Sequence, residues 1–107
     1  MNTTPVLNDL AAPMAVLRML AVDFPTLPAA SVVVSTVYPD RLTVSFYDGL
    51  AAFETWRAAL GIDPAAVEYA EQSGGRTRVL SVLADYAGAR VELVGYTTHP
   101  DHAGGAV

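Results

Sequence analysis

Near the end of the sequence, His99, Asp101 and His102 form an H-P-D-H cluster whose ligand types suit zinc or nickel. Pro100 and Gly104-Gly105 leave this segment without periodicity, so residues 99–107 read as a mobile tail lacking the fixed outer shell that a metal site needs. No metal or other cofactor is expected. These are the only two histidines, and there is no cysteine, which removes thiolate nucleophiles, disulfides, iron–sulfur ligation and Cys-type zinc sites. Acid–base work would therefore fall to carboxylates, tyrosines or arginine. Asp48, Glu68, Asp85 and Glu92 are the candidates, but no spacing forces two carboxyls together as glycosidase-type chemistry requires. Asp48 reads as a helix cap, and Glu68 and Glu92 as solvent-facing strand positions. Phosphate-binding glycine loops and the G-x-S-x-G elbow are absent. No catalytic residue is assigned, and a non-enzymatic role is favoured.

Binding offers more. Phe53-Glu54-Thr55-Trp56-Arg57 holds the single tryptophan beside an arginine, both types enriched at binding hot spots. The same spacing also describes a core tryptophan on an amphipathic helix, with Arg57 pairing to Glu54 one turn away. Trp56, Arg57, Tyr47 and Tyr96 are the candidate ligand or partner contacts. Arg41, Arg76 and Arg78 would form an anion site if they converged near the hairpin turns, and otherwise are scattered surface arginines.

These residues must be placed by a small set of elements. Asp9 is read as the N-cap of a first helix with Pro13 in its first turn, and Leu10, Met14, Leu17, Leu20 and Ala21 as its buried stripe, ended by Phe24-Pro25. Ser31 to Tyr38 and Arg41 to Tyr47 read as a hairpin turned by Pro39-Asp40. In the second strand Leu42, Val44 and Phe46 alternate with Thr43, Ser45 and Tyr47, giving one apolar and one hydroxylated face. Asp48-Gly49 opens a second helix with Leu50, Phe53, Trp56 and Leu60 facing the core. Gly61 supplies its left-handed end, Ile62 folds back, and Pro64 blocks continuation. Residues 63–72 fit either helix or strand, with a turn and then a strand from Ala66 preferred. A meander follows, with a turn at Ser73-Gly74-Gly75, a strand over Thr77 to Tyr86, a turn at Ala87-Gly88-Ala89 and a strand over Arg90 to Thr97. The order helix-strand-strand occurs twice. Leu10-Ala11-Ala12 echoes Leu50-Ala51-Ala52, Arg18 and Leu20 echo Arg57 and Leu60, and Arg41 with Val44 echoes Arg76 with Val79.

The fold class expected is α+β: a two-layer sandwich in αββαβββ order, with a mainly antiparallel five-stranded sheet and two helices on one face. Residues 1–98 make the single domain. A rearranged ferredoxin-like sandwich and a relative of secretion-chaperone folds both fit this order. Val79 to Ala84 is apolar on both faces, which predicts a central strand covered on both sides. Two helices cover only one face, so the other, assigned to Leu80, Val82, Tyr86 and Tyr69, is expected to meet a second copy or another protein.

Composition narrows the setting. The chain has 107 residues, 52% of them apolar, with a net charge of −5, no lysine and one isoleucine, Ile62. That balance disfavours nucleic acid, since phosphate neutralisation supplies most of such affinity. No apolar run approaches the ~20 residues needed to span a bilayer, and the first residues lack a basic signal region. A cytoplasmic location without membrane contact is expected.

The segment Phe53-x-x-Trp56-Arg57-x-x-Leu60-Gly61-Ile62-Asp63-Pro64 in a lysine-free Ala/Val-rich chain resembles small uncharacterised actinobacterial proteins of the Streptomyces type, met in phage-like or integrating mobile elements. The resemblance implies a fold and a setting and carries no catalytic residue. The leading functional reading is a non-enzymatic protein-interaction module, homodimeric through an apolar sheet face. One alternative is a small-ligand binder or minor enzyme with a pocket between helices and sheet near Trp56, Tyr47 and Tyr96. The other is an acidic inhibitor or nucleic-acid mimic from a mobile element.

Overall fold

In the computed structural model, which describes residues 4–47, 49–72 and 74–98, the apolar alternation Leu42–Val44–Phe46 becomes the inner face of a strand and fixes the side on which the helices pack. The elements are a 3-10 turn Leu7–Leu10, helix α1 (Ala11–Asp23), strands β1 (Ser31–Ser35) and β2 (Tyr38–Phe46), helix α2 (Ala51–Ala59), a 3-10 turn Pro64–Ala66, and strands β3 (Glu68–Gln72), β4 (Thr77–Tyr86) and β5 (Ala89–Thr98). This is the α+β architecture expected from the sequence: one mainly antiparallel five-stranded sheet with two helices. Among the described residues no helix is long and apolar enough to cross a membrane. The expected mobile tail 99–107 and its H-P-D-H cluster lie outside the described residues.

The sheet order is β1-β2-β5-β4-β3, antiparallel except for the parallel pair β2 and β5. Each helix leads to an edge strand and then an inner strand, and β5 fills the gap between the two hairpins. The centre of the sheet is therefore β5, where the sequence pattern pointed to Val79–Ala84. Register explains the difference. Pairing with β2 sets Val91 beside Leu42 and Leu93 beside Val44, and all four are fully buried. Fully burying each such side chain is worth roughly 1.5–3 kcal/mol. Rows of inward side chains run across the strands, Val34–Leu42–Val91–Ala84 and Val32–Val44–Leu93–Val82.

α1 lies across β2 and β5 and α2 sits on β5. The buried face of α1 is Pro13, Val16 and Leu20, with Leu17 half-buried. Of the predicted stripe Leu20 is buried and Leu10 and Leu17 are half-buried, whereas Met14 and Ala21 are exposed and Pro13 and Val16 lie inward instead. α1 is apolar nearly all round, so several phases of a 3.6-residue period fit it equally well. Asp9 does not cap α1. It lies within the preceding 3-10 turn, where its Oδ2 accepts from the Val6 N–H at 2.9 Å.

The first hairpin turns at Thr36–Val37 and not at Pro39-Asp40. The Ser35 hydroxyl accepts from the Val37 N–H at 3.1 Å, and the pairing jumps from Val34↔Leu42 to Ser35↔Tyr38. Pro39 and Asp40 thus lie in a bulge inside β2, a position that tolerates a missing N–H. α2 ends as its sequence predicts. The Gly61 N–H donates to Ala58 O and the Ile62 N–H to Arg57 O, both at 3.1 Å, with Gly61 at φ 69°. After it, Asp63 Oδ1 accepts from the Ala65 N–H at 2.9 Å, and a strand follows from Glu68, in line with the preferred turn-then-strand reading of this segment.

Candidate functional site

Strand register sorts every candidate side chain to one of two faces. Leu80 stands opposite Gly95 and Tyr69, Val82 opposite Leu93, and Tyr86 opposite Ala89, so all of them share the helix-bearing face with Leu42 and Val44. Val82 is 5% exposed and belongs to the core. The helix-free face is built from Val79, Ser81 and Leu83 of β4, which corrects the side assigned to Leu80, Val82, Tyr86 and Tyr69. Both parities of β4 are apolar, so the strand's own sequence carries no signal of which side faces the helices. Tyr69, on edge strand β3, is 54% exposed. Its phenol is raised above the ordinary tyrosine value, by reduced hydration and by donating to Glu71 Oε2 at 3.0 Å.

The helix-free face is polarised along the strands. At one end Tyr47 and Tyr96 stack in parallel, centroids 5.1 Å apart and planes 3° apart, in line with Val79 and Ala70. Next comes Ser31–Ser45–Val94–Ser81–Glu68 and then Val33–Thr43–Glu92–Leu83. At the far end are Arg41, Arg90 and Asp85. Arg41 lies over the Tyr38 ring at 4.2 Å and reaches Glu92 at 3.8 Å, while the Thr43 hydroxyl donates to Glu92 Oε1 at 3.2 Å. Asp85 pairs with Arg90 at 3.3 Å. Glu92 thus has structural partners, and Glu68, on edge strand β3, stands across β4 from it on the same face, both lining a cavity of about 320 Å³ with Ser81 and Leu83. Glu92 is already engaged by Arg41 and Thr43, Asp85 is paired with Arg90 at the far end, and Asp48 lies outside the described residues. Among the described residues no group of three or more His, Asp or Glu is placed to hold a metal.

The arginines do not converge either. Arg41 stands opposite Arg90 on the helix-free side, whereas Arg78 stands opposite Thr97 on the helix side, seven residues further along β5. At about 3.3 Å per residue that is roughly 20 Å. Trp56 is 6% exposed, donates its indole N–H to Pro28 O at 2.8 Å, and meets Phe46 edge-on at 5.9 Å. Arg57 pairs with Glu54 at 2.9 Å and donates to Ile62 O at 2.6 Å, fastening the turn after α2. Both serve the fold. Since Trp56 lies on the helix side and Tyr47 and Tyr96 on the other, they do not line one pocket.

Two further features bear on the site: the first falls where a pocket between helices and sheet was expected, at Trp56 but without Tyr47 and Tyr96, and the second was not drawn from the sequence. A cleft of about 240 Å³ opens beside β1 on the helix side, lined by Leu17, Ala21, Phe24, Leu27, Val32 and Trp56 among others. The sheet edges also differ: β3 carries Glu68 and Glu71, while β1, Ser-Val-Val-Val-Ser, carries no charge. The uncharged run is visible in the sequence, but only the strand order shows that it forms an edge. Comparison with protein-family models, curated proteins and solved structures finds no significant match to this chain.

Proposed function

We propose that this chain is a non-enzymatic protein-interaction module that associates with a second copy of itself. The observation that carries this reading is the outer side of α1. Met14 and Met19 are 38% and 40% exposed and Val22 is 70% exposed, and the helix has only Arg18 and Asp23 as charges. A helix apolar all round is usually covered on more than one side, and methionines suit adaptable contact surfaces. α2 makes the contrast within the same molecule, with Phe53 and Trp56 inward and Glu54 and Thr55 outward.

The helix-free sheet face supports association less well, because Val33, Val79, Leu83 and Val94 are interleaved there with Arg41, Glu92, Asp85 and Arg90. A ligand pocket has weaker support again. The cleft beside Trp56, about 240 Å³, is smaller than the ~300–1,000 Å³ usual for ligand sites, and the indole N–H already has a partner. The cavity of about 330 Å³ beside Tyr47 is walled by Ala29, Ala30, Ser31, Ser45 and Ala52, with no charged side chain to fix a ligand. Light scattering after size exclusion across a hundredfold concentration range tests the reading. A dimer, persistent or forming as concentration rises, is the expected result; a monomer throughout overturns self-association.

A further inference from the structure

We infer that two copies join edge to edge through β1, pairing antiparallel about a two-fold axis at Val33 to make a continuous ten-stranded sheet. This rests on the self-association reading above and names its seam and its occupant, a second copy of this chain.

Four observations converge on that edge. First, among the described residues β1 has backbone groups on its outer side with no strand beside them, and it lacks the charges that natural edge strands use against pairing. The other edge, β3, has such charges in Glu68 and Glu71. Second, Ser31-Val32-Val33-Val34-Ser35 reads the same in both directions. In an isologous antiparallel pair centred on Val33, Val32 meets Val34 of the second copy and Ser31 meets Ser35, so like side chains oppose like along the whole strand.

Third, charge permits this contact where it opposes others. Phe24 to Pro39 is the longest run of the sequence without a charged residue, in a chain of net charge −5. Two acidic molecules meet there with no like charges brought face to face. Fourth, the cleft between α1 and the helix-side residue Val32 opens beside the same edge. In this register Val34 of the second copy lies opposite Val32, about 5 Å away, at the cleft and next to Leu17 and Ala21. Size points the same way. A stable interface takes about 800 Å² and 20–30 residues a side, more than a five-residue strand supplies. The uncharged residues that flank the cleft beside β1, Leu17 and Ala21 of α1 and the Phe24–Ala30 segment, are the surface that would extend the contact.

The test uses Val33, which is 52% exposed and therefore replaceable without disturbing the core. Val33→Lys and Val33→Glu are prepared separately and mixed, with circular dichroism confirming the fold and light scattering giving the mass. Each variant alone should lose more than about a hundredfold in dimer affinity, since like charges oppose across the axis. The equimolar mixture should regain the dimer, because only at a two-fold axis does position 33 face itself. Amide exchange on the unmodified protein gives a second reading: Ser31–Ser35 amides should exchange faster as the protein is diluted through its dissociation range. If both variants remain dimeric and β1 exchange ignores dilution, the seam is elsewhere and self-association survives. If the unmodified protein is monomeric throughout, both readings fall.

Discussion

Ala87 is the one non-glycine among the described residues with positive φ, at 50°, and Gly88 follows at 94°. Two successive left-handed residues are what a tight two-residue hairpin needs between right-twisted strands, and asparagine meets the first position better than alanine. Ala87→Asn is expected to stabilise the fold by about 0.5–1 kcal/mol, read from urea unfolding with an unchanged slope. Trp56→Phe should cost about 1–3 kcal/mol, because Pro28 O loses its donor in a partly buried place. The indole should emit at short wavelength and be insensitive to added metabolites; quenching by a small molecule would return attention to the cleft. At Tyr69 the raised phenol pKa sets the sign of a pH effect. The folded state holds that proton more tightly, so its contribution is complete below the free tyrosine value near 10 and is lost as pH climbs through the raised folded value. Tyr69→Phe should remove the late-ionising tyrosine from an alkaline absorbance titration.

At the scale of elements, α2 and β5 meet at a position with no side chain. A Cβ on Gly95 would stand 3.0 Å from Leu50 Cδ2 and 3.1 Å from Phe53 Cδ2. Gly95→Val should therefore overpack the contact and destabilise by about 1–3 kcal/mol, measured by thermal or urea unfolding. Gly61→Ala should cost about 1 kcal/mol through its left-handed geometry alone, with no new contact. What the sequence could disclose follows the range of the interactions. The end of α2 was legible because Gly61, Ile62 and Pro64 encode it within a few residues, and the β4–β5 turn likewise. The face of α1 was legible only in part, at Leu17 and Leu20, since an all-round apolar helix has no preferred phase to place Met14 and Ala21. The first turn was misplaced by three residues because Pro39 usually marks a turn and here occupies a bulge. Trp56 and Arg57 carried a dual reading that only their partners, Pro28 O and Ile62 O, decide.

At the scale of the whole molecule, the parallel contact between β2 and β5 sets the strand order, and nothing local announces it. It brings together residues about fifty apart in sequence, such as Leu42 and Val91. That is why the sequence pattern of β4 could suggest a central strand, and why its apolar residues were assigned to the wrong side. If two copies associate as proposed, folding and assembly are linked by mass action, and the unfolding midpoint should rise with protein concentration. A midpoint independent of concentration over two decades would separate the dimer from the stability of the fold.

β5 is the last of the described strands to be synthesised and the middle one in the sheet. A ribosome therefore delivers the two outer hairpins first, with Leu42 and Val44 on one inner edge and Val82 on the other still lacking the neighbours that cover them. A stop codon ahead of Val91 would not shorten the sheet by one strand; it would leave two separate hairpins, each with an apolar inner edge open to other nascent chains.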